Sequence, residues 1–191
     1  MLTKDRILKE SMALFSVYGF DSVSVRRIAE EVGVKNSALY KHFESKQAIF
    51  DAIVAASQER FFQKYAEAKV TELKTPEEFE NMCIDFFLYQ TKDPWIMMFR
   101  RMLMMEMFKN QGMAKVYKNI FIDMPVQYQK QIFQALIDQG RLKDANAEVM
   151  AMELYAPFFL YHAVDEDNER LEPLFRKHVR NFIKNYMEEI R

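Results

Sequence analysis

Residues 32–43 read VGVKNSALYKHF and gather an unusual set of functional groups. Lys35 and Lys41 offer cationic donors, His42 an imidazole, Asn36 an amide, Ser37 a hydroxyl and Tyr40 a phenol, within eight positions. Such groups form hydrogen bonds and neutralise anions; they do not by themselves make or break covalent bonds. Nothing elsewhere supplies the missing chemistry. The chain has three histidines, His42, His162 and His178, no Glu-x-x-His pair, no His-Glu-x-x-His, no Gly-x-Ser-x-Gly, and four glycines with no phosphate-loop pattern. The expectation is a binding protein, not an enzyme, with no metal site and no cofactor.

Two features must position the segment. Ser24 is placed to cap a helix VRRIAEEV whose Val25, Ile28, Ala29 and Val32 recur at helical spacing, and Gly33 stops it. Beyond the turn, Leu39 and Phe43 lie four apart on one face and can be buried, which leaves Asn36, Tyr40 and Lys41 pointing elsewhere. Two short helices about a glycine turn have the outline of a helix-turn-helix. A preceding amphipathic helix, capped at Thr3 and ended by Gly19, completes a three-helix unit.

The rest of the chain reads as helix throughout. Half of its 191 residues are hydrophobic and 14% aromatic, with only 4 Gly and 5 Pro, which favours long helices over many short strands. Ser45 opens a long helix expected to reach about residue 71. Thr75-Pro76-Glu77-Glu78 is a capping box, and Asp93-Pro94 stops the helix it begins. Residues 94–110 are apolar nearly all round, as in a buried helix. A kink is expected near Asp123 before Pro125, a stop at Gly140, a helix start at Asp144, an interior proline at Pro157, a polar loop over 165–168, and a last helix from Pro173.

Charge and cysteine usage narrow the setting. The first 50 residues hold 8 Lys/Arg against 6 Asp/Glu, net +2, and the remainder 19 against 22, net −3. That sign suits an N-terminal nucleic-acid contact. Cys83 is the single cysteine and has no internal partner, the start MLTKDRILKE lacks a signal-peptide core, and no apolar run approaches the roughly 20 residues of a membrane span. A soluble cytoplasmic protein without a membrane partner is expected.

With these residues laid out, ALFSVYGFDSVSVRRIAEEVGVKNSALYKHFESKQAIF resembles the TetR/AcrR family of bacterial transcriptional regulators, through its aromatic-glycine end to helix one, Ile-Ala helix, Gly-Val turn, Leu-Tyr-x-His-Phe and Ser-Lys. Later residues resemble the family in layout only. The resemblance implies an all-α chain of about nine helices, with a three-helix DNA-binding domain over 1–46 and a helical ligand-binding and dimerisation domain over 47–191. In a helix-turn-helix the second helix enters the major groove N-terminus first, which makes Lys35, Asn36, Ser37 and Ala38 the base-reading residues. Asn36 suits adenine, and Ala38, where relatives carry Thr or Ser, suits a thymine methyl. Lys35 stands where relatives often carry a capping residue. Arg26 matches a position that touches base or backbone in the family, while Ser24, Tyr40, Lys41, His42 and Lys46 read as phosphate contacts.

The resemblance further implies a ligand cavity and a dimer. Unbranched methionines adapt to irregular apolar shapes, so Trp95, Met98, Phe99, Met102 and Met105 are candidates for its wall, although a filled core explains any one of these methionines better. Tyr117, Phe121, Tyr128, Tyr155, Phe159 and His162 complete the candidate lining. Phe175, His178, Val179, Phe182 and Tyr186, with Phe158 of the preceding helix, form the candidate dimer stripe. The implied partners are a double-stranded DNA operator, a small apolar or amphipathic effector and a second copy of the chain. The expected function is a homodimeric repressor that binds a palindromic operator and is released by the effector, with activation as the alternative. The competing reading is a helical ligand-binding scaffold that keeps the helix-turn-helix only as packing.

Overall fold

A computed structural model describes residues 3–68, 75–162 and 170–187, and among them every regular element is helical. The helices are α1 (Thr3–Tyr18), α2 (Val25–Val32), α3 (Asn36–Tyr40), α4 (Lys46–Glu67), α5 (Pro76–Lys92), α6 (Pro94–Glu106), α7 (Gln111–Lys118), α8 (Met124–Asp138), α9 (Ala147–His162) and α10 (Leu171–Tyr186). A π-helical turn over Asn119–Asp123 follows α7 and precedes α8 without an interruption of helix, so the run 111–138 counts as one element and the total among the described residues as nine. The π turn falls just before Pro125, which has no N–H to give to the helical ladder.

The local signals act as elementary chemistry requires. Ser24 accepts a hydrogen bond from the Arg27 N–H at 3.2 Å, and Thr75 and Glu78 exchange the two bonds of a capping box. Gly33 adopts φ +73 and closes α2, with Val34 N–H donating to the Ala29 carbonyl at 2.9 Å. Two expectations shift. Asn146, not Asp144, caps α9 by accepting from the Glu148 and Val149 N–H groups, and the last helix begins two residues before Pro173, which sits in its first turn where a missing N–H costs nothing. The described part of α4 ends at Glu67. The side chain of Thr3 and the loop expected over 165–168 lie outside the described residues.

The chain groups into two compact units: residues 1–64 with 94–119, and residues 65–93 with 120–191. This grouping differs from a division at 46/47, because α6 and α7 return to the N-terminal unit. In that first unit α6 packs along α1, and Ile7, Met12, Phe15, Ile28, Leu39, Ile49, Phe99 and Met102 are completely or almost completely buried. Glu106, at the end of α6, accepts the Phe20 N–H at 3.0 Å. In the second unit α5, α8, α9 and α10 surround an aromatic core in which Phe87 stacks on Phe175 at 4.4 Å and Phe79 on Phe182 at 6.1 Å.

Candidate nucleic-acid interface and small-molecule cavity

Helix α3 is a single amphipathic turn. Leu39 is fully buried and Phe43 nearly so, whereas Lys35, Asn36, Ser37, Tyr40, Lys41 and His42 are exposed and Ala38 half-buried. Lys35 occupies the N-cap in extended conformation and makes no capping bond with its side chain, so its ammonium stays in solvent. The buried residues of α2 and α3 hold the pair at fixed angle, and the polar groups of α3 share the opposite face. Tyr40, a large aromatic, is left 50% exposed on that face.

The flanking cations divide into free and engaged. Arg26 is exposed and pairs through Nε with Glu30 at 3.0 Å, a bond that leaves its terminal nitrogens available. Arg27, to which the sequence reading gave no role, lies 3.8 Å over the Tyr18 ring. Lys46 is engaged: its Nζ donates to the Phe20 carbonyl at 2.7 Å and sits 4.3 Å over the Phe20 ring. Its ammonium therefore ties α4 to the turn between α1 and α2, a structural role that a phosphate contact would have to share.

The expected methionine-lined cavity is not where the structure leaves space. Phe99 and Met102 are fully buried in the first unit, and Trp95 donates its indole N–H to Ser57 Oγ at 2.9 Å with Arg60 stacked 4.5 Å above it. Met98 is half-buried, Met105 exposed, and Tyr117 buried in the same unit, its phenol pKa pushed up by burial. These six residues belong to a packed unit, and methionine fills it as it fills any irregular core.

Free space lies instead in the second unit, as a cavity of about 40 Å³. Of the expected lining, among the described residues only Tyr128 borders it, with Tyr65, Met82, Cys83, Phe86, Gln129 and Ile132 among its neighbours. Tyr128 donates to the Tyr65 carbonyl at 3.0 Å, and the two rings lie 4.5 Å apart. Burial raises the pKa of both phenols and of the Cys83 thiol, which keeps all three neutral. Phe121 and Tyr155 are buried beside one another, Tyr155 donating to the Phe121 carbonyl at 2.7 Å, while Phe159 is exposed. The side chain of His162 lies outside the described residues. The helical pattern of α5, with Phe79, Met82, Cys83 and Phe86 on one stripe, carried the signal for this wall; it read as ordinary core because nothing in one helix marks where its neighbours leave a gap.

The dimer stripe also needs correcting. Phe158, Phe175, Val179 and Phe182 are buried within the second unit itself, and Phe158 and Phe175 border the cavity. An amphipathic stripe first satisfies its own core, so a clean pattern is no sign of a second copy. His178 and Tyr186 are half-buried, the Tyr186 hydroxyl donating to Glu153. The apolar groups left outside are Val149, Met152, Phe159 and Leu160 on α9 and Leu174 on α10.

Comparison with known proteins agrees with this anatomy. Residues 7–53 match the model of bacterial regulatory proteins of the tetR family. The chain is 37% identical over 65 residues to the HTH-type transcriptional regulator UidR of Escherichia coli, a match that covers 34% of this chain and about a third (33%) of that relative's length. A TetR-family transcriptional regulator of Mesorhizobium loti superposes with a TM-score of 0.78 at 15% identity, over 97% of both chains. SmeT, the repressor of a Stenotrophomonas maltophilia multidrug efflux pump, superposes in its triclosan complex with a TM-score of 0.74 at 18% identity, over 98% of this chain and 93% of that one. Residues 7–53 therefore match the DNA-binding segment of the tetR family of bacterial regulatory proteins, and the solved structures share the fold over nearly the whole chain. Among the described residues no helix is long and apolar enough to cross a membrane.

Proposed function

We propose that the chain is a homodimeric transcriptional repressor that binds a palindromic operator through α3 and is released by a small apolar or amphipathic effector held in the second unit. The observation that carries this reading is the division of α3, with Leu39 in the core and Lys35, Asn36, Ser37, Tyr40, Lys41 and His42 all in solvent. Packing alone would not hold two lysine ammonium groups, an imidazole, an amide and a phenol on one exposed face. Lys35, Asn36, Ser37 and Ala38 read base edges; Tyr40, Lys41, His42 and Arg26 bind backbone, and the Ser24-capped start of α2 faces a phosphate. UidR and SmeT, both regulators, support the assignment.

The cavity is the effector site in this reading, and the triclosan complex of SmeT shows that a protein of this fold accepts such a molecule. Ligand sites are commonly 300–1,000 Å³, so the 40 Å³ seen here must widen, and the half-buried Met82 and Ile132 are the wall residues whose displacement would widen it. The effector works by preferring a conformation in which the paired reading heads no longer fit the operator. The exposed apolar groups of α9 and α10, not the buried stripe, form the dimer face. No enzymatic step is required of any residue.

The test is to incubate the protein with fragmented genomic DNA at near-physiological salt and sequence what it retains. A recurring palindrome, with retention lost in Asn36→Ala with Tyr40→Ala, is the expected result. Equal retention by wild type and double variant would remove α3 from the interface.

A further inference from the structure

The lining of the second-unit cavity specifies what it accepts. None of the thirteen described residues that line it is Lys, Arg, His, Asp or Glu, so no described side chain offers a charged guest a counter-ion. Its walls are mostly Phe, Tyr, Met, Leu and Ile, and its polar groups are almost all spoken for. The Tyr128 hydroxyl is given to the Tyr65 carbonyl, and Gln90 lies within 3.3 Å of the Tyr155 hydroxyl. The exception is Gln129, which lines the cavity and whose Oε1 is buried with no hydrogen-bond partner among the described residues. A buried carbonyl oxygen without a donor is a strained economy of hydrogen bonds that folded proteins seldom leave open.

We infer that the cavity takes an uncharged molecule with an aromatic or aliphatic body and one hydrogen-bond donor, a hydroxyl or N–H directed at Gln129 Oε1. This rests on the reading of the cavity as the effector site. A carboxylate would bring a second acceptor to an unpartnered acceptor and lose its hydration with no cation to replace it. A quaternary ammonium has no proton to give. An ether or a plain hydrocarbon fits the walls and leaves Gln129 as it was. The same asymmetry that makes an unmade buried bond expensive makes the site discriminate between a donor and its methylated analogue.

Cys83 gives a readout within the same wall, because it is the chain's single cysteine and borders the cavity. The rate of its modification by methyl methanethiosulfonate would be followed in the full chain with increasing 4-methylphenol, 4-methylanisole or 4-methylbenzoate, for wild type and Gln129→Leu. The expected result is that 4-methylphenol protects Cys83 at concentrations about tenfold or more below 4-methylanisole, a ratio typical of one buried hydrogen bond. The benzoate should not protect, and Gln129→Leu should bring the phenol and ether together. Thermal unfolding of the variant verifies that it folds, and Gln129→Met, which removes the acceptor with a side chain of similar length, should likewise bring phenol and ether together if Leu proves unstable. If phenol and ether protect equally in wild type, the Gln129 inference fails while the cavity remains a ligand site. If the ether or the benzoate protects better, Gln129 presents no acceptor and the inference is wrong. If no probe protects Cys83, the cavity reading falls and takes the inference with it.

Discussion

Helices α5 and α6 are neighbours in sequence and both carry many large apolar side chains, yet they do opposite things. Helix α6, PWIMMFRRMLMME, buries Ile96, Phe99, Met102 and Leu103 in the first unit. Helix α5, PEEFENMCIDFFLYQTK, sends Phe79, Met82, Cys83 and Phe86 to the edge of a cavity in the second. Methionine content does not separate them, since the richer helix is the filled one. What separates them is the company each keeps. Helix α6 lies along α1 and α7 with side chains of matching bulk, whereas α5 meets α8, α9 and α10, whose Tyr128, Gln129 and Phe158 leave a gap. Cavities are made by the misfit of several surfaces, so no single surface announces one.

Substitutions on the two helices should therefore differ most of all. Met102→Ala, at a fully buried position, should lower unfolding free energy by about 2–5 kcal/mol and leave effector response per folded molecule intact. Met82→Ala, half-buried beside existing space, should cost less and alter effector affinity. Chemical denaturation of both variants, with effector titrations on the survivors, decides the matter, and equal losses of stability would erase the distinction drawn here.

A second asymmetry lies at the end of α6. Glu106 accepts the Phe20 N–H and stands where a Cβ on Gly19 would come within 2.6 Å of its Oε1. Gly19 also holds φ +79, which side chains disfavour. Gly19→Ala should thus cost about 1–3 kcal/mol through combined strain and displacement of Glu106. Gly140→Ala, at a similar φ of +69 but with nothing within 4 Å, should cost only the backbone part. Melting temperatures of the pair would measure the contribution of the Glu106 contact; identical shifts would mean that it contributes nothing.

How much of this was legible beforehand follows from the same contrast. Helix α3 and its turn could be read because their cause is local: Ser24 caps within three residues, Gly33 closes within five, and Leu39 and Phe43 mark the buried side by spacing alone. The all-helical fold and the capping box at Thr75 were equally visible. The engagement of Lys46 by the Phe20 carbonyl, 26 residues away, was not, and neither was the burial of Phe175 and Phe182 in their own unit. Both depend on which distant surfaces meet, and periodicity records only that a face is apolar, not against what.

The two regions should also fail differently at the level of DNA. Asn36→Ala should relax preference at one position per half-site, with a loss of about 1–3 kcal/mol confined to the cognate base pair. Lys41→Ala should weaken all sequences alike and reduce the slope of log affinity against log salt by about one. Binding isotherms on operator and scrambled duplexes at several salt concentrations separate the two roles, and uniform loss from both variants would abolish the division into readers and backbone contacts. Lys46→Ala should add a stability loss that Lys41→Ala lacks, since only Lys46 holds backbone carbonyls.

The smallest effect is expected on α5, at its polar edge. Glu80 receives hydrogen bonds from Arg180 at 2.9 Å and Arg176 at 3.3 Å, which pins α10 against α5 on the far side of Phe79. The Arg180 bond, set against the cost of burial and helped by Arg176, holds the Glu80 carboxyl below its ordinary value of 4.5. A carboxylate whose folded pKa is depressed stabilises the fold above its unfolded pKa and loses that contribution as pH falls through the folded one. Stability should therefore decline from about pH 4.5 downward, and Glu80→Gln should flatten that part of the curve while leaving a modest constant deficit above it. Solvent screens the exposed Arg180, which keeps the change small. Glu80 is also the lesser of two causes that raise the Cys83 thiol, burial being the greater. The Gln variant should consequently make Cys83 slightly more reactive at high pH, and the α6 variants should not, because the charge that matters to the cavity sits on the helix that lines it.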